Sequence, residues 1–183
     1  MSIKKGMSLI AFGFLFTLVN INLNFGDKSV NIIPDCVGWI LLYLSLDEIG
    51  KYAEGKAYLK WCTLALTVIT GARWIYDFIF PYNPLSVLSG IISVVEAITI
   101  FTLLGIVEKI AVDYGSRKAE TIHILKYFSL AGIVIIGLVE IFGTLANLRN
   151  LVLVVTALGV VMLVTAIIIA VTLFQIRKDI INQ

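Results

Sequence analysis

Arg73 and Asp77 place a positive and a negative charge inside Thr70-Gly71-Ala72-Arg73-Trp74-Ile75-Tyr76-Asp77-Phe78, a run otherwise apolar enough to cross a bilayer. Either charge alone would cost about 2.5 to 3.5 kcal/mol at mid-membrane on an insertion scale. Spaced four apart they share one helical face and can neutralise each other. Two further acids, Glu96 and Glu140, fall inside apolar runs, so three acids face one base. Helical rise puts Asp77 about 5 Å, Arg73 and Glu140 about 10 Å, and Glu96 about 16 Å below the outer helix ends. Such a set can line a cavity in the outer half of the membrane, with Glu96 or Glu140 as a proton- or cation-responsive group beside a substrate path. The structural alternative pairs Arg73 with Asp77 or Glu140 to fix packing and leaves Glu96 protonated or hydrogen-bonded, since buried acids lacking counter-charge tend to take up a proton.

The elements that must hold these residues are long apolar helices. The 183 residues are 60% hydrophobic and 14% charged, and their mean hydropathy is +1.01, well beyond the apolar share of a soluble domain. A net charge of +2, carried mostly in loops, excludes nucleic acid as a partner. One histidine, His123, leaves no basis for a histidine metal site or a His-based triad and is read as solvated or interfacial. Cys36 and Cys62 are expected at opposite membrane faces, without a disulfide. With no zinc motif, nucleotide loop or nucleophile elbow, no catalytic residue, metal or cofactor is assigned, and an enzyme is disfavoured.

Polar residues recur at helical spacing on the charged helices. They are Thr63, Thr67, Thr70, Arg73 and Asp77; then Ser86, Ser89, Gly90, Ser93 and Glu96 or Ala97; then Gly132, Ile136, Glu140, Gly143, Thr144 and Asn147. Small and hydroxylated faces allow close approach and interhelical hydrogen bonds, so these three are expected to meet. The final apolar run, from Val152 to Phe174, has only scattered threonines and is expected to face lipid.

Near the amino terminus, Lys4 and Lys5 precede an apolar run without a small-residue cleavage site, which predicts an uncleaved first span. Asn20, Asn22 and Asn24 then alternate with Ile21, Leu23 and Phe25 before Gly26-Asp27-Lys28-Ser29, a pattern for a short β-hairpin at the outer membrane surface. Continuation of the first helix to Phe25 is the competing reading. Pro34 sets an extended approach and Asp35 suits an N-cap for the next helix. From Cys36 to Ile49 that helix spans only about 21 Å. The run Asn31-Ile32-Ile33-Pro34-Asp35-Cys36-Val37-Gly38-Trp39-Ile40-Leu41-Leu42 resembles uncharacterised small multipass membrane proteins of Gram-positive bacteria with a Pro-Asp-x-x-Gly-aromatic signature. The resemblance covers about the first 50 residues and implies a membrane location without a specified activity; Pro34, Asp35 and Gly38 are structural or capping candidates within it.

The expected fold is a single all-α integral membrane domain over 1–183. It is a bundle of about six transmembrane helices, at 6–24, 32–49, 58–80, 85–107, 122–145 and 151–176, with a short outer β-hairpin between the first two. Lys28 and Arg149 fall in outer turns and Arg73 within a span, while the other eleven of 14 basic residues fall on the inner side. Both termini are therefore expected in the cytoplasm of a bacterium, with the protein in its cytoplasmic membrane. The expected function is transport of a small solute or ion, alone or as a transporter subunit. The alternative is a noncatalytic accessory or sensor protein that binds another membrane protein through polar helix faces.

Overall fold

A computed structural model describes residues 2–18, 22–25, 28–31, 34–79, 86–146 and 151–181. At 18, 22–25, 28–31, 77–78, 86–90, 140–146 and 151–156 the description is of the backbone alone. Six α-helices follow in order: α1 (Ile3–Leu18), α2 (Asp35–Ile49), α3 (Ala57–Ile79), α4 (Ser86–Asp113), α5 (Ala119–Ala146) and α6 (Leu151–Ile181). A single 3-10 turn, Gly50–Tyr52, follows α2.

The expected bundle of six crossings is corrected by the helices themselves. Among the described residues only three, over Ile91–Asp113, Ala119–Val139 and Ala157–Ile181, are long and apolar enough to cross a membrane. Helices α1 and α2 have 16 and 15 residues, about 24 and 22 Å against a hydrocarbon core of about 30 Å. α3 is long enough at 23 residues, but Lys60, Arg73 and its three threonines dilute the apolar run. The outer β-hairpin does not stand as part of the fold class either, because helices alone carry the architecture. Two four-residue stretches, β1 (Asn22–Phe25) and β2 (Lys28–Asn31), pair antiparallel with Asn22 opposite Asn31 and Phe25 opposite Lys28. They join no larger sheet, the turn at 26–27 lies outside the described residues, and two strands of this length are marginal on their own. Helix α1 ends at Leu18 rather than continuing to Phe25.

Helices that follow one another in the chain pack against each other, and α6 returns against α1. Met7, Ile10, Ala11 and Phe14 of α1 form a buried stripe at helical spacing, as do Trp39, Leu42, Leu46 and Ile49 of α2. The two helices touch where Gly13 meets Gly38: a Cβ on Gly38 would lie 2.7 Å from both Gly13 O and Thr17 N. Pro34, with φ −63° and ψ 127°, occupies the cap position of α2 and makes no side-chain cap bond. Asp35 is instead the first helical residue, so its carboxylate acts on the positive helix end rather than as the expected cap.

The outside of the span helices is apolar. On α6, Ile169, Leu173 and Ile176 point inward while Val160, Val164, Ile168 and Val171 are exposed. Large apolar side chains turned outward along all three long helices are what a lipid-facing surface requires.

Polar side chains tie the helices together at one end of the bundle, called basal, which carries the Gly50–Tyr52 turn and the α4–α5 connection. Lys60 of α3 pairs with Asp47 of α2. At the start of α1, the Ser2 N–H and Lys5 Nζ donate to Glu48 at 2.9 and 2.5 Å. The Lys5 hydrogen bond, and after it the Ser2 N–H, hold the Glu48 carboxyl below its ordinary range. Its folded value is lowered, so its contribution to stability is present above the unfolded carboxylate value of about 4.3 and is lost as pH falls through the folded value. The contribution is small because Lys5 is exposed. Unfolding followed against pH should show an acid-side decline that is shallower in Glu48→Gln; identical profiles would remove Glu48 from the α1–α2 tie.

Candidate functional site

The register between α4 and α5 is set at their connection. Gly115 adopts φ +56°, a left-handed conformation that suits glycine. Ser116 N–H donates to Ala111 O at 2.8 Å and Gly115 N–H to Val112 O at 2.9 Å, the paired bonds of a Schellman ending. Ser116 then works in both directions: its Oγ accepts from Lys118 N–H at 3.3 Å and donates to Asp179 Oδ2 of α6 at 2.5 Å. A tight helical hairpin follows, in which residues equidistant from the turn face each other.

That register brings Glu108 of α4 against His123 and Lys126 of α5. Lys126 Nζ donates to Glu108 Oε2 at 2.5 Å, and His123 Nδ1 lies 2.7 Å from Glu108 Oε1. The Lys126 side chain is only 11% exposed and Glu108 24%, whereas His123 is 51% exposed. Both charges of the pair lie within segments apolar enough to cross a membrane. The ammonium also stands 5.2 Å from the Phe101 ring centroid and 5.0 Å from that of Tyr127. Those two rings meet edge to face at 5.4 Å, and His123 meets Tyr127 in the same way at 5.1 Å. Each aromatic face turned toward the ammonium is worth about 0.5 to 2 kcal/mol, more as water is excluded. Glu108, His123 and Lys126 therefore join one water-exposed titratable ring to a buried ion pair through a shared carboxylate.

One turn inward from Lys126, Ser129 is fully buried. Its Oγ makes no hydrogen bond among the described residues. The hydroxyls of Thr63, Thr70, Thr99 and Thr165, by contrast, each bond back to the carbonyl four residues earlier. Thr67 does the same, so the described hydroxyls of the α3 stripe close on their own helix, where bonds between helices were expected.

Arg73 lies on α3 with an exposed side chain, and Asp77 follows one turn later, its side chain outside the described residues. Glu96 is half-buried on α4; Glu140 is on α5, its side chain again outside the described residues. The packing order sets α4 between α3 and α5. Phe101 opposite Tyr127 and Glu108 opposite His123 put Glu96 level with the turn around Val134, so Glu140 lies about a turn and a half farther from the basal end. Arg73 is accordingly expected to couple to Glu96 by more than about 0.5 kcal/mol and to be additive with Glu140 in double-mutant cycles of thermal stability. The reverse ranking would place α5, not α4, beside Arg73.

Sequence reasoning missed Glu108, His123 and Lys126 as a unit. It left Glu108 just past the expected span 85–107, counted Lys126 among the inner basic residues and read His123 as solvated or interfacial. The available signal was the Tyr114-Gly115-Ser116 turn, about which residues 108 and 123 are nearly symmetric. No group of three or more His, Cys, Asp or Glu side chains suited to a metal occurs among the described residues. No protein-family model, curated protein or solved structure matches the chain.

Proposed function

We propose that the chain is a multi-pass protein of a bacterial cytoplasmic membrane that moves a small solute or ion, alone or as one subunit of a transport system. The observation that carries this reading is the Glu108–Lys126 ion pair. Ionisable groups inside apolar spans are costly and commonly mark solute, ion or proton paths. Glu96 and Glu140 extend the ionisable series away from the basal end, with Arg73 and Asp77 on α3 as further candidates for a binding or coupling role.

In this reading α4, α5 and α6 cross the bilayer with the basal end in the cytoplasm. Arg117, Lys118, Arg177 and Lys178 gather at that end, whereas the α5–α6 connection carries Arg149. The end of α6 is basal, tied to the α4–α5 connection by Asp179 and Ser116, which puts that end of the chain in the cytoplasm. The likeness of residues 31–42 to small Gram-positive multipass proteins supports the same location.

A second reading, an accessory or sensor protein with a membrane-protein partner, is favoured by α3. Among the described residues that helix meets α4 only lightly, and Trp61, Val68 and Ile75 stand exposed, a face on which a partner helix could pack. Vesicles containing the purified chain should take up at least one member of a panel of amino acids, monosaccharides, organic acids and monovalent salts, and Glu108→Gln should abolish that uptake. No uptake, together with a membrane protein that stays bound through purification, would replace transport by the accessory role.

A further inference from the structure

We infer that the seam between α1 and α6 binds one anionic phospholipid of the leaflet at the basal end, with Arg177 and Lys178 on its phosphodiester and Lys4 at the rim. The site is separate from the Glu108 cluster and does not depend on which solute, if any, the chain moves.

Phe12 of α1 and Phe174 of α6 meet edge to face at 5.5 Å, which fixes the register of the two helices. From that contact toward the basal end, where α1 begins and α6 ends, both helices change from apolar to cationic. On α6 the row Ile167, Val171, Phe174 and Lys178 repeats at helical spacing. Ile167 and Val171 are half-exposed, and Lys178 is exposed about 6 Å beyond Phe174. On α1 the row Phe12, Ser8 and Lys4 runs the same way at spacings of four; Phe12 is half-exposed and Lys4 exposed. An apolar strip that turns cationic at the membrane boundary matches a phospholipid in outline, with an acyl chain along Ile167 and Val171 and the headgroup at the lysines.

The charge at this seam is uncompensated. None of Lys4, Arg177 and Lys178 forms an ion pair among the described residues. The acids brought to these helix ends are engaged on other faces: Glu48 accepts from Ser2 N–H and Lys5 on the α2 side, and Asp179 accepts from Ser116 at the α4–α5 connection. Arg177 supplies an independent observation. Its side chain is half-buried, and its Nε is buried without a hydrogen-bond acceptor among the described residues. An enclosed donor is costly to leave unsatisfied, and a guanidinium presents its N–H groups as a planar fork that matches phosphate oxygens. A phosphodiester at the half-open guanidinium offers the acceptors that the helices around it do not. Free phosphate offers the same oxygens but would leave Phe12, Ile167 and Val171 bare.

The test is native mass spectrometry of the full chain released from nanodiscs that hold phosphatidylglycerol and phosphatidylcholine in equal amounts. One phosphatidylglycerol should stay bound in preference to phosphatidylcholine. Lys178→Gln should lower that preference about fivefold, the worth of one cation near an anionic surface, and Arg177→Gln by at least as much. Lys178 and Lys4 are exposed, so Lys178→Gln and Lys4→Gln give a reading even if Arg177→Gln fails to fold. Lys51→Gln and Lys109→Gln, exposed cations of the same end outside the seam, should leave the preference unchanged. Equal retention of the two lipids, or equal losses at positions 178, 51 and 109, would overturn the site in favour of a diffuse basic surface. Excess inorganic phosphate should not displace the lipid; displacement would assign the cations to a soluble anion and overturn the lipid.

Discussion

Glu108→Gln is expected to destabilise the protein by about 3 kcal/mol, because it leaves the Lys126 ammonium buried without its anion. The value sits at the lower end of the range for broken buried pairs, since Glu108 is 24% exposed and lies near a helix end. Lys126→Met should cost less, about 1 to 2 kcal/mol, because the carboxylate it abandons keeps His123 and can reach water. The double variant should return to within about 1 kcal/mol of the parent, because it leaves no buried charge without its partner and the amide at position 108 keeps His123 within reach. Thermal or denaturant unfolding in detergent reads all three. If Glu108→Gln is neutral, or if the two single costs simply add, the pair is not a buried unit.

Gly38→Ala should cost a similar amount, about 3 kcal/mol, by a different mechanism. Its Cβ would lie 2.5 Å from Thr17 Cγ2 and 2.7 Å from two backbone atoms, Gly13 O and Thr17 N. Backbone cannot rotate away, so α1 and α2 would have to separate along a fully buried face. Gly132→Ala is the informative contrast. There the clash is with Met162 Sδ, part of a flexible side chain that can move, and the expected cost is about 1 kcal/mol or less. Gly159→Ala meets nothing within 4 Å and should be neutral or stabilising by up to about 1 kcal/mol through helix propensity. The order 38, 132, 159, measured as unfolding midpoints, checks the close approach of α1 and α2; equal effects at 38 and 159 would refute it.

Much of the helical layout was legible because apolar runs and punctuating residues state it locally. Pro34 before α2 and Gly115 after α4 are both used as the chemistry of helix ends predicts. The number of crossings was less legible, because hydropathy marks a helix without marking its partner. Helices α1 and α2 are apolar enough to be read as spans, yet they end after 16 and 15 residues and bury their apolar stripes against each other. The charged site was hidden for a similar reason. Glu108 and Lys126 are 18 positions apart, and it is the tight turn at Gly115 that folds α5 back on α4 and brings them together. Arg73 and Asp77 stood out because a four-residue spacing is visible in any helix; contacts between helices carry no such mark.

The arrangement depends most on α5 crossing the membrane with the Glu108–Lys126 pair at its cytoplasmic end. Single cysteines at Arg117 and Arg149, in a chain with Cys36 and Cys62 replaced, can be challenged with a membrane-impermeant thiol reagent on intact cells. Position 149 should label from outside, and position 117 only after the cells are permeabilised. Labelling of both from the same side, or of 117 alone from outside, would contradict the crossing of α5 and the cytoplasmic placement of the ion cluster.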